Sequence, residues 1–260
     1  MLSLLLRQFK RIVTLLLIGF LLATSAFADG PRDYIRYYVG EQQVVETLQI
    51  QNRQHEIIIR AGEYDGKPGK RIYLSDVDVN FKDIPTDIRI HSDSHGAYIH
   101  EYDINLKEAK ALVEQLKARG VNAKLQVAEC KGQDLNAAAR IANKDNPYIY
   151  VSMHHNYYDD KAQGYFSMYN PSDKNSSLIA RRLSNAIADN GLVKQRESQP
   201  NTGYIGELNG LNKTTTGVLL ELGFFSNGEE LKNICSHEYV NYVSVKLADE
   251  LTRILNEQYR

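Results

Sequence analysis

From about Thr86 onward, apolar residues along the chain switch repeatedly between a two-residue and a helical period. Asp87-Ile-Arg-Ile90 alternates like a short strand, whereas residues 101–119 place Leu106, Ala109, Leu112, Val113 and Leu116 on one helical face. Lys117 and Arg119 occupy the last turn of that helix, and Gly120 is positioned to end it. The pattern then predicts a strand over 121–127, a helix carrying Leu135, Ala138, Ala139, Ile141 and Ala142, and a strand over 148–153. A helix over 173–190 turns Ile179, Leu183 and Ile187 inward, residues 217–221 read as a strand, and a final helix carries Val240, Val243, Leu247, Leu251 and Ile254. This alternation implies an α/β fold, a mainly parallel twisted sheet covered by helices on both faces.

Residues 29–82 follow a different pattern. Stretches 44–50, 56–59 and 71–79 look extended, and the turn-rich Gly62-Glu-Tyr-Asp-Gly-Lys-Pro-Gly69 interrupts them. They predict a small β-rich N-terminal extension packed on the main domain, which would occupy 83–260. Residues 1–28 differ again. Arg7, Lys10 and Arg11 precede a nearly unbroken apolar run over 12–28, which ends in Ala26-Phe-Ala28. That order fits a secretory signal cleaved after Ala28. The rival reading, an uncleaved anchor, suffers from a run of only 17 residues that includes Thr14, Gly19, Thr24 and Ser25. The expected location is therefore the periplasm, with no stable membrane insertion after cleavage.

Losing Arg7, Lys10 and Arg11 leaves 28 Lys and Arg against 32 Asp and Glu, a net charge of −4. A nucleic-acid partner is not expected, because phosphate binding needs a basic face. Cys130 and Cys235 are the only cysteines. One disulfide is open to them in an oxidising compartment, but spacing alone does not establish it. Without a CxxC pair, thiolate-bound zinc is not indicated.

Five of the seven histidines cluster in two places. His91, His95 and His100 follow the first expected strand of the main domain, and His154 and His155 end the apolar stretch Tyr148-Ile-Tyr-Val-Ser-Met-His-His-Asn156. Glu101 opens a helix, and Glu221 ends Val218-Leu-Leu-Glu221. Loops at the strand ends of such a sheet bind ligands. Two imidazoles and a carboxylate suit Zn²⁺ with an open position for water, beside a further carboxylate acting as base. Each residue also has an ordinary explanation. Strand-end histidines commonly form surface hydrogen bonds, and Glu101 suits the positive end of a helix. A carboxylate ending an apolar strand is harder to explain that way.

Four segments then carry a resemblance: His95-Gly96, EYDINLKEAKALVEQLKARGVNAKL from Glu101, ARIANKDNPYIYVSMHHN from Ala139, and VLLELGFFSN from Val218. Together, in this order over residues 86–258, they resemble the zinc-dependent N-acetylmuramoyl-L-alanine amidases of the amidase-3 family. The resemblance implies His95, Glu101 and His154 as zinc ligands and Glu221 as the catalytic acid. His155 takes the variable position of the Ser-x-His-x-Asn motif, since neighbouring strand side chains point to opposite faces. Asn156 closes that motif, and Glu207 and Asn209 are further candidates to contact substrate. For the last two, an ordinary strand and turn remain the alternative.

The implied reaction is hydrolysis of the amide between the lactyl group of N-acetylmuramic acid and L-alanine in peptidoglycan. Two departures stand out. The family's Asp-x-Gly-His-Gly-Gly run is here Ser92-Asp-Ser-His-Gly-Ala97, and only five residues separate His95 from Glu101. His91 or His100 would substitute if the register differs. The other functional readings are a zinc peptidase acting on stem or other peptides, and a metal-free wall-binding module on the same fold. An activator protein is compatible with the sequence but not legible in it.

Overall fold

The computed structural model describes residues 35–38, 44–47, 56–62, 70–127, 135–203 and 205–258. They divide into two units, residues 1–50 and 51–260. In the first, β1 (Ile35–Tyr38) pairs antiparallel with β2 (Val44–Thr47). The expected signal peptide and Cys130 lie outside the described residues.

The second unit begins with β3 (Ile57–Ala61), whose Ile57-Ile-Ile run is buried on both faces, as a central parallel strand requires. Next come β4 (Arg71–Tyr73), β5 (His91–Asp93) and β6 (Gly96–His100), which form a separate three-stranded antiparallel sheet with β6 in the middle. β6 runs straight into α1 (Glu101–Ala118). The chain continues through β7 (Ala123–Gln126), α2 (Leu135–Asp145), β8 (Ile149–Asn156), β9 (Phe166–Tyr169) and α3 (Lys174–Ala186). It ends with β10 (Gln199–Pro200), the short α4 (Gly206–Asn209), β11 (Thr216–Phe224), α5 (Gly228–Cys235) and α6 (His237–Gln258).

The main sheet has the order β10-β9-β11-β8-β3-β7. β3 is parallel to β7 and β8, β8 is parallel to β11, and only the β9–β11 pairing is antiparallel. The mainly parallel sheet expected from the sequence is therefore present. Alternation along β8 divides its side chains. Ile149, Val151 and Met153 join the large core with α1, α3 and α6, while Tyr150 packs with Ile58, Leu219, Ala142 of α2 and Leu208 of α4. On α1, Ala109, Leu112, Val113 and Leu116 are buried, as their spacing predicts.

Three expectations need correction. Ile57–Ala61, read as part of an extension reaching to 82, is instead flanked by β7 and β8 inside the main sheet. The β-rich extension therefore does not run to 82. Residues 87–90 form no strand. Pro85 sets a turn in which its carbonyl accepts from Ile88 N at 3.1 Å, and Ile84 and Ile88 anchor this loop in the core. The strand expected over 71–79 stops at Tyr73, where Leu74–Val77 forms a 3₁₀ turn and Asp78 takes φ 52°. Cys235 is buried and forms no disulfide among the described residues. No helix among them is long and apolar enough to cross a membrane.

Candidate active site

Three parallel strands, β3, β8 and β11, deliver their ends to one place beside the start of α1. In the β8–β11 register His154 is opposite Glu221, so the two side chains leave neighbouring strands, about 4.8 Å apart, on the same face. β3 ends at Ala61, paired with Met153, and Gly62 N donates to the Met153 carbonyl at 2.8 Å. Gly62 lies flat against the imidazole: a Cβ there would be 2.4 Å from His154 Cε1. Only glycine allows that approach.

His154 is nearly buried, with 8% of its surface exposed, and sits between two carboxylates. Its Nδ1 is 2.9 Å from Glu101 Oε1, and its Nε2 is 3.3 Å from Glu207 Oε1. Burial opposes a charge on the ring, but these carboxylates outweigh it and hold the imidazole pKa well above its usual value. Burial likewise disfavours ionised Glu101, yet the bonds from His154 and Asn105 keep its pKa below the usual carboxylate range.

Glu101 is fixed from behind. Asn105 Nδ2 donates to Glu101 Oε1 and to the Gly62 carbonyl, both at 3.1 Å. The Asn105 Oδ1 is 2.8 Å from Nδ1 of the fully buried His155, whose Nε2 is 3.4 Å from Glu108 Oε2. Strand alternation has thus separated the two imidazoles, as expected. His154 faces Glu101 and Glu207, and His155 faces Asn105 and Glu108.

Arg60, on β3, forms an ion pair with Glu207, and Tyr150 Oη donates to Glu207 Oε2 at 3.2 Å. Burial raises the Glu207 pKa, but the Arg60 charge, reinforced by His154 and Ser152, brings it down to about 2. Glu207 is 1% exposed, so it lies beneath His154 and not on the wall of a substrate groove.

Glu221 has the opposite environment. Its Oε2 is shielded from solvent and has no hydrogen-bond partner among the described residues. Burial pushes its pKa up to about 7; His154 and His155 oppose the shift, and the negative Glu101 and Glu207 add to it. Glu101 and Glu207 are each matched by a cation, His154 and Arg60. Glu221 has no such cation among the described residues.

Three expected site residues remain, His95, Asn156 and Asn209. His95 occupies the turn between β5 and β6, with its side chain 75% exposed and its ring 5.9 Å from that of Tyr73. It does not join Glu101 and His154, because the strand end beside His154 belongs to β3 and not to the segment before His95. Asn156 ends β8, and its Oδ1 accepts from Tyr157 N at 2.7 Å. Asn209 is exposed at the end of α4, where its Oδ1 accepts from Asn201 at 3.1 Å. Arg60, Gly62 and Asn105 went unrecognised in the sequence. The available signal was Arg60 itself, a charge closing the run Ile57-Ile-Ile and followed by Ala-Gly.

Among the described residues, these donors do not fit a three-ligand zinc site. The two ring nitrogens of His154 face different carboxylates, Arg60 already neutralises Glu207, and His95 is missing. No group of three or more His, Cys, Asp or Glu among the described residues is arranged to hold a metal ion.

His154 and Glu221 at the ends of neighbouring strands, with Glu101 at the start of α1 and Glu207 in α4, gather titratable groups at one end of an α/β sheet, where such folds place their sites. Residues 90–253 match the family model Amidase_3, N-acetylmuramoyl-L-alanine amidase, and this chain belongs to that family. Its fold is also that of solved amidases. The N-acetylmuramoyl-L-alanine amidase of Clostridium difficile 630 superposes with a TM-score of 0.61 at 19% identity, covering 80% of this chain and 99% of that one. The catalytic domain of CwlV from Bacillus (Paenibacillus) polymyxa var. colistinus also gives 0.61, at 20% identity, covering 77% and 97%. CwlD of Clostridioides difficile, solved in complex with the GerS lipoprotein, gives 0.59 at 20% identity, covering 78% and 99%. No curated protein sequence matches the chain.

Proposed function

We propose that this chain hydrolyses the amide between the lactyl group of N-acetylmuramic acid and the first L-alanine of peptidoglycan stem peptides. Family membership supports amide cleavage on peptidoglycan. Glu221 carries the reading to this chain. It is a shielded carboxyl without an ion-pair partner among the described residues, poised near neutrality beside the fixed charges of His154 and Glu101. Such a group takes a proton from an attacking water and returns it to the departing amine. Proton transfer therefore rests on Glu221, while Asn105 and Gly62 hold Glu101 and His154 in place. Among the described residues the donors do not complete a three-ligand zinc site.

The same proposal places the protein in the periplasm after removal of residues 1–28, supported by Arg7, Lys10 and Arg11 before the apolar run and by Ala26-Phe-Ala28. A mature N-terminus at Asp29 in the periplasmic fraction checks it. The CwlD–GerS complex supports including a protein partner in this reading.

A second reading, a non-hydrolytic wall-binding module, is favoured by one observation: Arg60 pairs with Glu207 and His154 with Glu101, so these two carboxylates are already balanced by cations of the chain itself. Mass spectrometry of digested murein separates the two. The amidase releases whole stem peptides and leaves glycan intact, and Glu221→Gln lowers that release by about 10²–10⁴-fold while still melting cooperatively. Cleavage inside the stem peptide would instead make the chain a peptidase. Binding to murein with no product released would establish the module.

A further inference from the structure

The three-stranded sheet β4-β6-β5 turns one face to the core and presents the other outward. Ile72 and Ile99 are buried, and strand alternation places Arg71, Tyr73, His91, Asp93, Tyr98 and His100 on the opposite face. These six side chains interlock. The His91 and Tyr98 rings stack at 5.3 Å with 14° between planes, and Tyr73 meets Tyr98 edge-on at 5.4 Å. The Arg71 guanidinium is 5.1 Å from the centroids of both tyrosines. Asp93 Oδ2 accepts from Tyr73 Oη at 2.8 Å and from Arg71 at 3.3 Å, and His91 Nε2 is 2.9 Å from Asp103.

This surface is aromatic and polar, and its members hold one another in position: His91 stacks on Tyr98, and the Arg71 guanidinium lies over both tyrosines. Its exposed cation is internally matched, Arg71 by Asp93, and His91 Nε2 faces the Asp103 carboxylate. A polyanion would require unmatched cations. A protein interface depletes Asp at its centre, whereas Asp93 sits among these rings, bonded to Tyr73 and Arg71. Uncharged pyranose rings fit: their C–H faces stack on tyrosine, and their hydroxyl and acetamido groups meet carboxylate, guanidinium and imidazole. The face is also continuous with the candidate active site. His100 directly precedes Glu101, and Glu101 N donates to the Lys70 carbonyl at 2.9 Å. Lys70 Nζ lies 4.7 Å from the ring of Tyr157, just beyond the end of β8.

We infer that the outer face of this small sheet binds the neutral glycan strand of peptidoglycan and so presents the attached peptide to the site beside it. This inference rests on the proposed function for its choice of polymer. Co-sedimentation of the full chain with peptide-stripped murein glycan tests it without any requirement for catalysis. Wild type and Glu221→Gln should both pellet with the glycan. Tyr98→Ala should weaken binding about ten-fold, the equivalent of one lost ring contact of about 1.4 kcal/mol, and Tyr98→Phe should restore it. Size-exclusion chromatography and melting curves accompany each variant. Equal binding by well-folded Tyr98→Ala, or binding only to murein that keeps its peptides, overturns the inference. A change of oligomeric state in Tyr98→Ala with glycan binding unchanged also overturns it, by making this face a contact between copies. If the glycan binds through Tyr98 but no stem peptide is ever released, the amidase reading fails and the binding face stands.

Discussion

At the scale of single residues, Gly62 and His95 make opposite predictions. Gly62 lies so close to His154 that a methyl group would overlap the ring, 2.4 Å from Cε1 and 2.5 Å from Nδ1 and Nε2, while Glu101 and Glu207 hold the ring from either side. Gly62→Ala should therefore displace the imidazole and reduce stem-peptide release by at least about 10²-fold, as misplacement of a site by about 1 Å does. His95→Ala should leave stem-peptide release at wild-type levels, because its exposed ring stands on a hairpin turn. A loss of release in that variant, with its melting curve unchanged, would show that the hairpin reaches the site. The sequence conveyed residue chemistry better than residue placement. Glu101, His154 and Glu221 meet because each belongs to a strongly patterned element. His95 was assigned through a two-residue pair, His-Gly, which has no periodicity to anchor it.

At the scale of elements, legibility followed the strength of local pattern. α1, β8 and β11 have long apolar repeats and appear within a few residues of their expected bounds. β3 was visible as a strand but not as a member of the main sheet. Its partners β7 and β8 begin 66 and 92 positions later in the registers Ile57–Ala123 and Ile57–Ile149, and pairing at such distances leaves no local trace. The intervening small sheet strengthened the impression of a separate extension. A truncation experiment follows from this. A chain starting at residue 83 would lose a strand bonded on both sides, together with the fully buried Ile57 and Ile59, and it should show no cooperative melting by circular dichroism. A chain starting at residue 51 keeps the second unit whole and should melt cooperatively. Cooperative folding from residue 83 would mean that β3 is dispensable to the sheet.

At the scale of the whole molecule, the fold gathers three carboxyl groups at the end of one sheet and assigns cations to only two. Their titration should appear in global stability. Burial raises the Glu221 pKa from 4.5 to about 7, so between those values the unfolded chain has released this proton while the folded chain retains it. Folding stability must then decline as pH rises through that window. Glu207 acts in the other direction. Despite burial, Arg60 and His154 lower its pKa to about 2, so its contribution is present above 4.5 and is lost as pH falls toward 2. The contributions of these two groups therefore place the stability maximum near pH 4.5, with His154 extending the decline above 6.5 because its pKa is raised. Glu221→Gln removes the group responsible for the decline between 4.5 and 6.5. Melting temperatures across that interval should fall in wild type and flatten in the variant, and parallel curves for the two proteins would show that Glu221 is ionised in the folded state throughout.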